Sequence, residues 1–222
     1  MNKRLRQCGA VLAVLAAAPA CADNLVLNCD SGKPGLEAKR IKAEAAGVVK
    51  RLSKHVLQVT VAGKTHKFTD KPPYDEPLDG VRYEFCQRKE GFILVAHEDG
   101  GDFTGKLINE ANGNITDAGG TVEFSADRRA YLASSQSNGL DATSLAVHAL
   151  DGRVSWEGRD YLPHPTKADS MVATLGKIQW EANGELSAQA TCLAGKVAPW
   201  RVKLVKSGGA WDWQPRRKCP DA

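Results

Sequence analysis

The clearest chemistry in this sequence belongs to four cysteines, Cys29, Cys86, Cys192 and Cys219. An even number of cysteines is typical of disulfide bonds when a chain is exported, as the N-terminus of this one predicts. Among the three pairings we favour Cys29–Cys86 and Cys192–Cys219, because each bond then lies within one half of the chain. Zinc is the alternative, but no two of these cysteines are spaced as zinc ligands and no histidine neighbours one at ligand spacing. We predict two structural disulfides and no metal site.

The other residues that could carry out chemistry match no catalytic motif. The five histidines form no H-E-x-x-H pattern, and the chain contains no G-x-S-x-G, G-x-x-x-x-G-K-[ST] or G-x-G-x-x-G. We therefore predict that the protein is not an enzyme, has no catalytic residues and needs no cofactor. A hydrolase is the least favoured alternative. It would require a pocket that joins His148 or His164 to a carboxylate and a nucleophile.

Aromatic and basic residues near the C-terminus are candidate binding residues. Trp200, Arg201, Trp211 and Trp213 lie within a short segment, and tryptophan and arginine are the residues most enriched at binding hot spots. Alternation along a strand would place Trp211 and Trp213 on one face, which a hydrophobic core explains equally well. Core packing is the preferred interpretation, and a surface patch is the alternative.

A second candidate binding segment is the acidic, proline-rich stretch Asp70–Asp79. Its three prolines predict an exposed loop with little conformational freedom to lose on binding. Asp75, Glu76 and Asp79 would attract a cationic protein, mainly by raising the rate of association. The alternative is a solubilising turn without a partner.

The N-terminus predicts export. Residues 1–22 combine a basic start, a short apolar run and an A-x-A pattern, so we expect a signal peptide cleaved before Asp23. A loose lipobox ending at Cys21 makes a lipid anchor the alternative. No other stretch is long and apolar enough to span a membrane. Removal of the signal peptide leaves 27 basic and 26 acidic side chains, a net charge of +1 without a basic stripe, so no nucleic-acid partner is expected.

The elements that must position these residues are predominantly strands. Val56–Val61 and Lys64–Thr69 alternate apolar and polar residues around Ala62-Gly63, as a half-buried hairpin requires. Further turns are expected at Glu90-Gly91, Asn112-Gly113, Asp127-Arg128, Asp151-Gly152, Asn183-Gly184 and Gly208-Gly209. The Asn-Gly and Asp-Gly pairs among them favour the positive φ that tight hairpin turns demand. We predict one all-β domain over residues 23–222, an antiparallel meander of ten or more strands that is propeller-like or sandwich-like. One short helix is allowed near residues 36–53.

A weak internal repeat supports this organisation. Val122–Ser135 and Ile178–Thr191 share a strand–turn–strand layout, and each is followed by a hairpin that closes on tryptophan, at Ser144–Trp156 and Trp200–Trp213. These units resemble the strand pairs of β-propeller blades. In overall layout the chain resembles uncharacterised secreted and periplasmic all-β proteins of Gram-negative bacteria, a resemblance that implies a fold and a compartment but no activity.

These observations favour a periplasmic or secreted, non-catalytic binding protein whose partner is an unidentified protein or envelope component. An inhibitor or immunity-type protein is one form of such a binder, because a rigid β scaffold with a charged loop suits that task. The alternative is a structural or assembly component of the envelope, anchored by a lipid on Cys21.

Overall fold

The computed structural model describes residues 24–29, 36–74, 79–137, 142–167 and 170–220. The predicted signal peptide, with its cleavage site before Asp23 and the lipid-anchor alternative at Cys21, lies outside these residues. So do Asp75 and Glu76 of the acidic segment.

Strands dominate the described residues, as predicted for an all-β protein. The elements are β1 Val26–Asn28, α1 Glu37–Glu44, β2 Val49–Ser53, β3 Val56–Val61, β4 Lys64–Thr69, β5 Val81–Lys89, β6 Phe92–Asp99, β7 Asp102–Asn109, β8 Asn114–Gly119, β9 Thr121–Phe124, β10 Ala130–Ser137, β11 Ser144–Ala149, β12 Val154–Arg159, β13 Tyr161–Pro163, β14 Met171–Trp180, β15 Leu186–Cys192, β16 Trp200–Ser207 and β17 Ala210–Gln214.

All strand pairings in the described part of the chain are antiparallel, and its strands form four successive meanders. We call β2–β4 the first sheet, β5–β8 the second, β9–β12 the third and β13–β17 the fourth. Strand β1 extends the third sheet by pairing with β9. The second and third sheets also join at one corner, where β10 pairs with β7 through Gln136–Phe103 and Ser137–Asp102.

The sheets stack face to face in chain order, and each neighbouring pair encloses a hydrophobic core. Alternation along β6 shows this directly. Ile93 and Val95 belong to the core shared with the first sheet, whereas Leu94 and Ala96 belong to the core shared with the third. The second and third sheets are therefore covered on both faces, which explains why their strands carry apolar residues on both sides.

Among the described residues, the two end sheets pack against another sheet on one face only. The outer face of the first sheet carries Lys50, Gln58 and Lys67 in register, and that of the fourth carries exposed Gln189 and Arg201. A closed propeller would cover both faces of every blade. These polar faces therefore describe an open stack in which each pair of sheets forms a sandwich.

The helix is shorter than the stretch in which it was expected. It covers Glu37–Glu44 only, and Gly47 at φ 83° turns the chain into strand β2. Val49 is buried on that strand, whereas Leu52 is 51% exposed. The one short helix expected near residues 36–53 therefore occupies only the first half of that stretch, and pairing with β3 makes Val49–Ser53 a strand.

Both stretches of the internal repeat form the predicted hairpins. Val122–Ser135 spans most of β9 and of β10, and Ile178–Thr191 spans the end of β14 and most of β15. The following hairpins are β11–β12 and β16–β17. The third and fourth sheets thus share a four-strand meander in the same chain order.

The predicted disulfide pairing is confirmed. Cys29, next to β1, is bonded to Cys86 of β5, so this bond joins the third sheet to the second. Cys192 at the end of β15 is bonded to Cys219, which fastens the C-terminal segment to the fourth sheet. Two disulfides are compatible with a protein outside the cytoplasm. Among the described residues, no helix has the length and apolar character needed to cross a bilayer.

Candidate functional site

A groove of about 410 Å³ opens where the core between the third and fourth sheets reaches solvent. We call it the tryptophan groove, because three indoles line it. Its lining residues are Ala130, Val147, Ser155 and Trp156 from the third sheet, and Trp180, Gly184, Glu185, Leu186, Leu204, Val205, Lys206 and Trp211 from the fourth sheet and its β14–β15 turn. Most of these side chains are apolar, as in small-molecule sites generally.

Strand alternation explains the position of Trp211. Trp211 and Trp213 are two residues apart on β17, so both indoles point toward the core, as the sequence predicted. Trp213 lies opposite Leu204 and is 3% exposed, whereas Trp211 lies opposite Lys206, closer to the β16–β17 turn. Because the two sheets leave the groove open there, Trp211 is 39% exposed. It is the most exposed tryptophan among the described residues.

Two further tryptophans fix the walls of the groove. Trp156 on β12 is half-buried and meets Trp213 edge-on, with ring centroids 5.8 Å apart and planes at 87°. Trp180 at the end of β14 is buried, and its Nε1 donates a hydrogen bond to the Glu123 carbonyl at 2.8 Å. That bond crosses from the fourth sheet to the third and holds the indole in place.

A smaller hollow of about 240 Å³ lies on the other side of Trp156 and Trp211. Tyr161 and Pro163 of β13 form part of its lining, together with Trp213. Trp156 and Trp211 therefore form a ridge with a hollow on each side. The ridge lies between β12 and β17, each of which is the last strand of its sheet.

The charged side chains of the groove differ in how they are compensated. Glu185 accepts hydrogen bonds from Lys203 Nζ at 2.6 Å and from Asn183 Nδ2 at 2.8 Å. These partners lower the pKa of Glu185, the contact with Lys203 most strongly. Lys206 has no ion pair or side-chain hydrogen bond within the described part of the chain. The groove therefore presents one uncompensated positive charge beside an exposed indole.

The four candidate residues near the C-terminus do not form one patch. Trp200 is buried, and its Nε1 donates to the Pro215 carbonyl at 2.9 Å. Trp213 is likewise in the core, as the preferred interpretation held. Arg201 points to the outer face of the fourth sheet and pairs with Glu181. Only Trp211 of the four reaches the groove.

Sequence reasoning did not single out Trp156 and Trp180 as binding residues. A signal for Trp156 was present, because both hairpins of the internal repeat close on a tryptophan, at Trp156 and Trp213. The sequence also contained a signal for Trp180, because Trp180 aligns with Phe124 in the internal repeat. What the sequence lacked was the stacking of the two sheets, which brings these positions together.

A second, polar cleft of about 340 Å³ lies beside α1 and the acidic segment. Contrary to the expected exposed loop, Asp70 is buried: it accepts a hydrogen bond from the Tyr83 backbone at 2.9 Å and lies 3.4 Å from His55 Nδ1. Tyr74 stacks on His55 with ring centroids 3.9 Å apart. Asp79, at the other end of the segment, is exposed as predicted.

Several ionic groups of this cleft are used to hold α1 on β5. Glu37 accepts a hydrogen bond from the Phe85 backbone at 2.7 Å and another from Arg51 Nε at 2.7 Å. Glu98 has a raised pKa, because burial disfavours its charged form, an effect that Arg82 opposes. The described lining contains carboxylates and a histidine, but no serine, threonine or cysteine.

Of the two histidines named for the hydrolase alternative, His148 shares a hollow with Glu157 and with two serines, Ser135 and Ser144. Ser144 is four residues away on the same strand, about 13 Å at the usual rise of a strand, and Ser135 pairs with Ser144 on the neighbouring strand. His164 Nδ1 is occupied by the backbone N–H groups of Thr166 and Lys167, each at 3.1 Å.

In the described ranges, no three His, Cys, Asp or Glu side chains are grouped as metal ligands would be. Comparison with known proteins finds no matching family, no matching curated protein and no matching solved structure. Functional inference therefore depends on the groove and the cleft themselves.

Proposed function

We propose that this protein is exported to the periplasm and binds a ligand, without catalysing a reaction, in the tryptophan groove. The observation that carries the proposal is the exposed indole of Trp211 at the mouth of an apolar groove. A groove lined by apolar and aromatic side chains with a few polar groups is the usual form of a binding site.

Contact between the apolar surface around Trp211 and water is unfavourable in free energy unless a ligand covers that surface. Trp211 and its neighbours keep apolar surface in contact with water, which burial would stabilise by about 25 cal/mol per Å². A single exposed apolar side chain needs no explanation, but a concave set of them indicates a binding surface. The apolar residues that line the tryptophan groove form such a set.

The groove is also suited to binding because its walls are fixed before the ligand arrives. Trp180 is tied to the third sheet by its hydrogen bond to Glu123, and the Cys192–Cys219 disulfide fastens the segment that follows β17. A preformed site loses little conformational entropy when it binds, so more of the contact energy contributes to affinity.

The proposal of export combines the N-terminal signal pattern with the two disulfides. An inhibitor or immunity-type protein is a narrower form of the same proposal. Asp79 supports it, because this acidic side chain is exposed at the end of the proline-rich segment. A protein of this type would bind a protein partner at the proline-rich segment in place of a small ligand in the tryptophan groove.

Native mass spectrometry of protein purified from the periplasm tests the groove. We expect wild-type protein to carry a small molecule that Trp211→Ala loses, because the substitution removes the exposed wall of the groove. Leu193→Ala is the matched control, since Leu193 is 49% exposed but does not line the groove. Equal retention by wild type and Trp211→Ala, or an empty wild-type protein that also binds none of the probes named below, would contradict the proposal.

A further inference from the structure

The lining of the tryptophan groove restricts what could occupy it. Two polar side chains inside the groove are already engaged within the protein: Trp180 Nε1 donates to the Glu123 carbonyl, and Ser155 Oγ donates to the Val147 carbonyl at 3.0 Å. A ligand rich in hydroxyl groups would leave many of them unpaired, and an unpaired buried polar group is costly. The groove therefore favours a ligand whose buried part is apolar.

Leu204 and Leu186 form the apolar floor beside the indoles. Both are buried, at 5% and 3% exposure, and they belong to the same core cluster as Trp180. An alkyl chain or ring inserted against them would extend this core toward solvent. Such a chain would also cover the exposed face of Trp211.

The charge at the mouth determines the other end of the ligand. Lys206 lies directly opposite Trp211 in the pairing of β16 with β17, and both side chains line the groove. Glu185, the acidic residue of the lining, is already compensated by Lys203. A ligand with a negative head would pair with Lys206, whereas a positive head would meet an uncompensated like charge.

We infer that the groove binds an amphipathic carboxylate, with its apolar body against Trp211, Leu204 and Leu186 and its carboxylate at Lys206. This inference rests on the proposed function of the groove and adds the chemical class of its ligand. The apolar body supplies most of the affinity. The ion pair, which is at the surface, adds up to about a fivefold preference for the anion.

Titration of tryptophan fluorescence with four defined probes tests the inference. Decanoate, decanol and decyltrimethylammonium share one chain but differ in head-group charge, and cellohexaose represents a saccharide. At pH 7.5, at low salt and below the micelle concentration of each amphiphile, we expect decanoate to bind tightest and decyltrimethylammonium weakest. Added salt should reduce the preference for decanoate over decanol.

Two variants separate the head from the body. Lys206→Gln should abolish the preference for decanoate over decanol while decanol binding stays unchanged. Lys50→Gln is the control, because Lys50 is exposed on the outer face of the first sheet. Trp211→Ala should weaken binding of both by tenfold or more. Thermal unfolding of each variant checks that the fold is retained.

The outcomes distinguish this inference from the proposed function. Equal affinity for decanoate and decanol, or an unchanged preference in Lys206→Gln, would overturn the anionic ligand and leave the groove as a binding site. If cellohexaose is the one probe that binds and its binding depends on Trp211, the anionic ligand is likewise overturned and the groove remains a binding site. Failure of all four probes to bind in a Trp211-dependent way would overturn the inference, and an empty wild-type protein in native mass spectrometry would then overturn the proposed function as well.

Discussion

Replacement of His148 by phenylalanine should make the stability of this protein less sensitive to acid. His148 is only 6% exposed and stacks on Tyr131, with ring centroids 4.9 Å apart and planes at 3°. Burial lowers its pKa, against the opposing effects of a hydrogen bond with the Gly152 backbone and of nearby carboxylates. Its Nδ1 accepts no hydrogen bond and donates none within the described ranges of the chain. The folded protein therefore resists protonation of this ring.

The direction of the effect follows from the lowered pKa. Below about pH 6.5 the unfolded chain takes up a proton on this histidine that the folded protein does not, so the free energy of unfolding falls. At pH 5.5 this difference amounts to about 1.4 kcal/mol if His148 stays neutral in the folded protein. Phenylalanine keeps a ring against Tyr131 but cannot titrate, so the variant should lack this loss.

Urea unfolding at pH 7.5 and pH 5.5 measures the difference. Wild type should lose more stability than His148→Phe between the two pH values, by up to about 1.4 kcal/mol, the limit for a ring that stays neutral in the folded protein. Other titrating groups, including His97, whose pKa is also lowered by burial, are common to both proteins and cancel. His66→Gln is the control, because His66 is only half-buried and its ring contacts the Gly113 carbonyl at 2.9 Å. Identical pH dependence of wild type and His148→Phe would refute the reasoning.

Two further predictions concern the packing of the sheets and the disulfides. Gly119→Ala should lower the free energy of unfolding by more than about 2 kcal/mol, because a Cβ at Gly119 would lie 2.1 Å from the Ser134 carbonyl oxygen. The control is Gly120→Ala, whose Cβ would meet nothing within 4 Å and which should be nearly neutral. Urea unfolding compares the two variants, and equal losses of stability would contradict the close approach at Gly119. Replacing Cys192 and Cys219 by alanine should lower the free energy of unfolding by about 3.5 kcal/mol, because the unfolded chain regains the entropy of a loop of 27 residues. Removing the Cys29–Cys86 disulfide should lower it by about 4 kcal/mol, because that bond closes a longer loop of 57 residues. The reverse order in thermal or urea unfolding would show that lost packing outweighs loop closure.

The strands that could be predicted from sequence are those with local signals. Val56–Val61 and Lys64–Thr69 have the predicted bounds, because period-two alternation and a turn between them are both encoded nearby. Ala62 and Gly63 adopt the positive φ values, 48° and 72°, that the hairpin turn demands. The disulfide pairing was predictable for a similar reason, since it followed from order along the chain.

The elements that sequence patterns misjudged depend on distant partners. Val49–Ser53 forms a strand because it pairs with β3 and contributes Val49 to the first core, although its apolar spacing also fits a helix. Asp70 was expected to be exposed because of its charge and its neighbouring prolines. It is buried, and its carboxylate accepts a hydrogen bond from the Tyr83 backbone and lies 3.4 Å from His55 Nδ1, both of which are distant in sequence.

The candidate site was predictable only in part for the same reason. Alternation on β17 correctly placed Trp211 and Trp213 on one face, but only the stacking of the third sheet on the fourth decides which indole is buried. Trp156 reaches the groove from β12, more than fifty residues away along the chain. No local pattern specifies that approach.

The open stack itself explains why a groove forms at this place. A sheet that carries apolar residues toward its neighbour must expose some of them wherever the two sheets separate, and the third and fourth sheets leave a groove of about 410 Å³ at the β16–β17 turn. The wall that the fourth sheet contributes to the groove is held in place on two sides. Strand β15 pairs with β16, and the segment after β17 is fastened by the hydrogen bond from Trp200 to Pro215 and by the Cys192–Cys219 disulfide. Trp211 is thus presented on a strand that does not have to be ordered by the ligand. A fixed apolar wall with Lys206 at its mouth is what an amphipathic anion requires, and it arises here from the same alternation that builds the core.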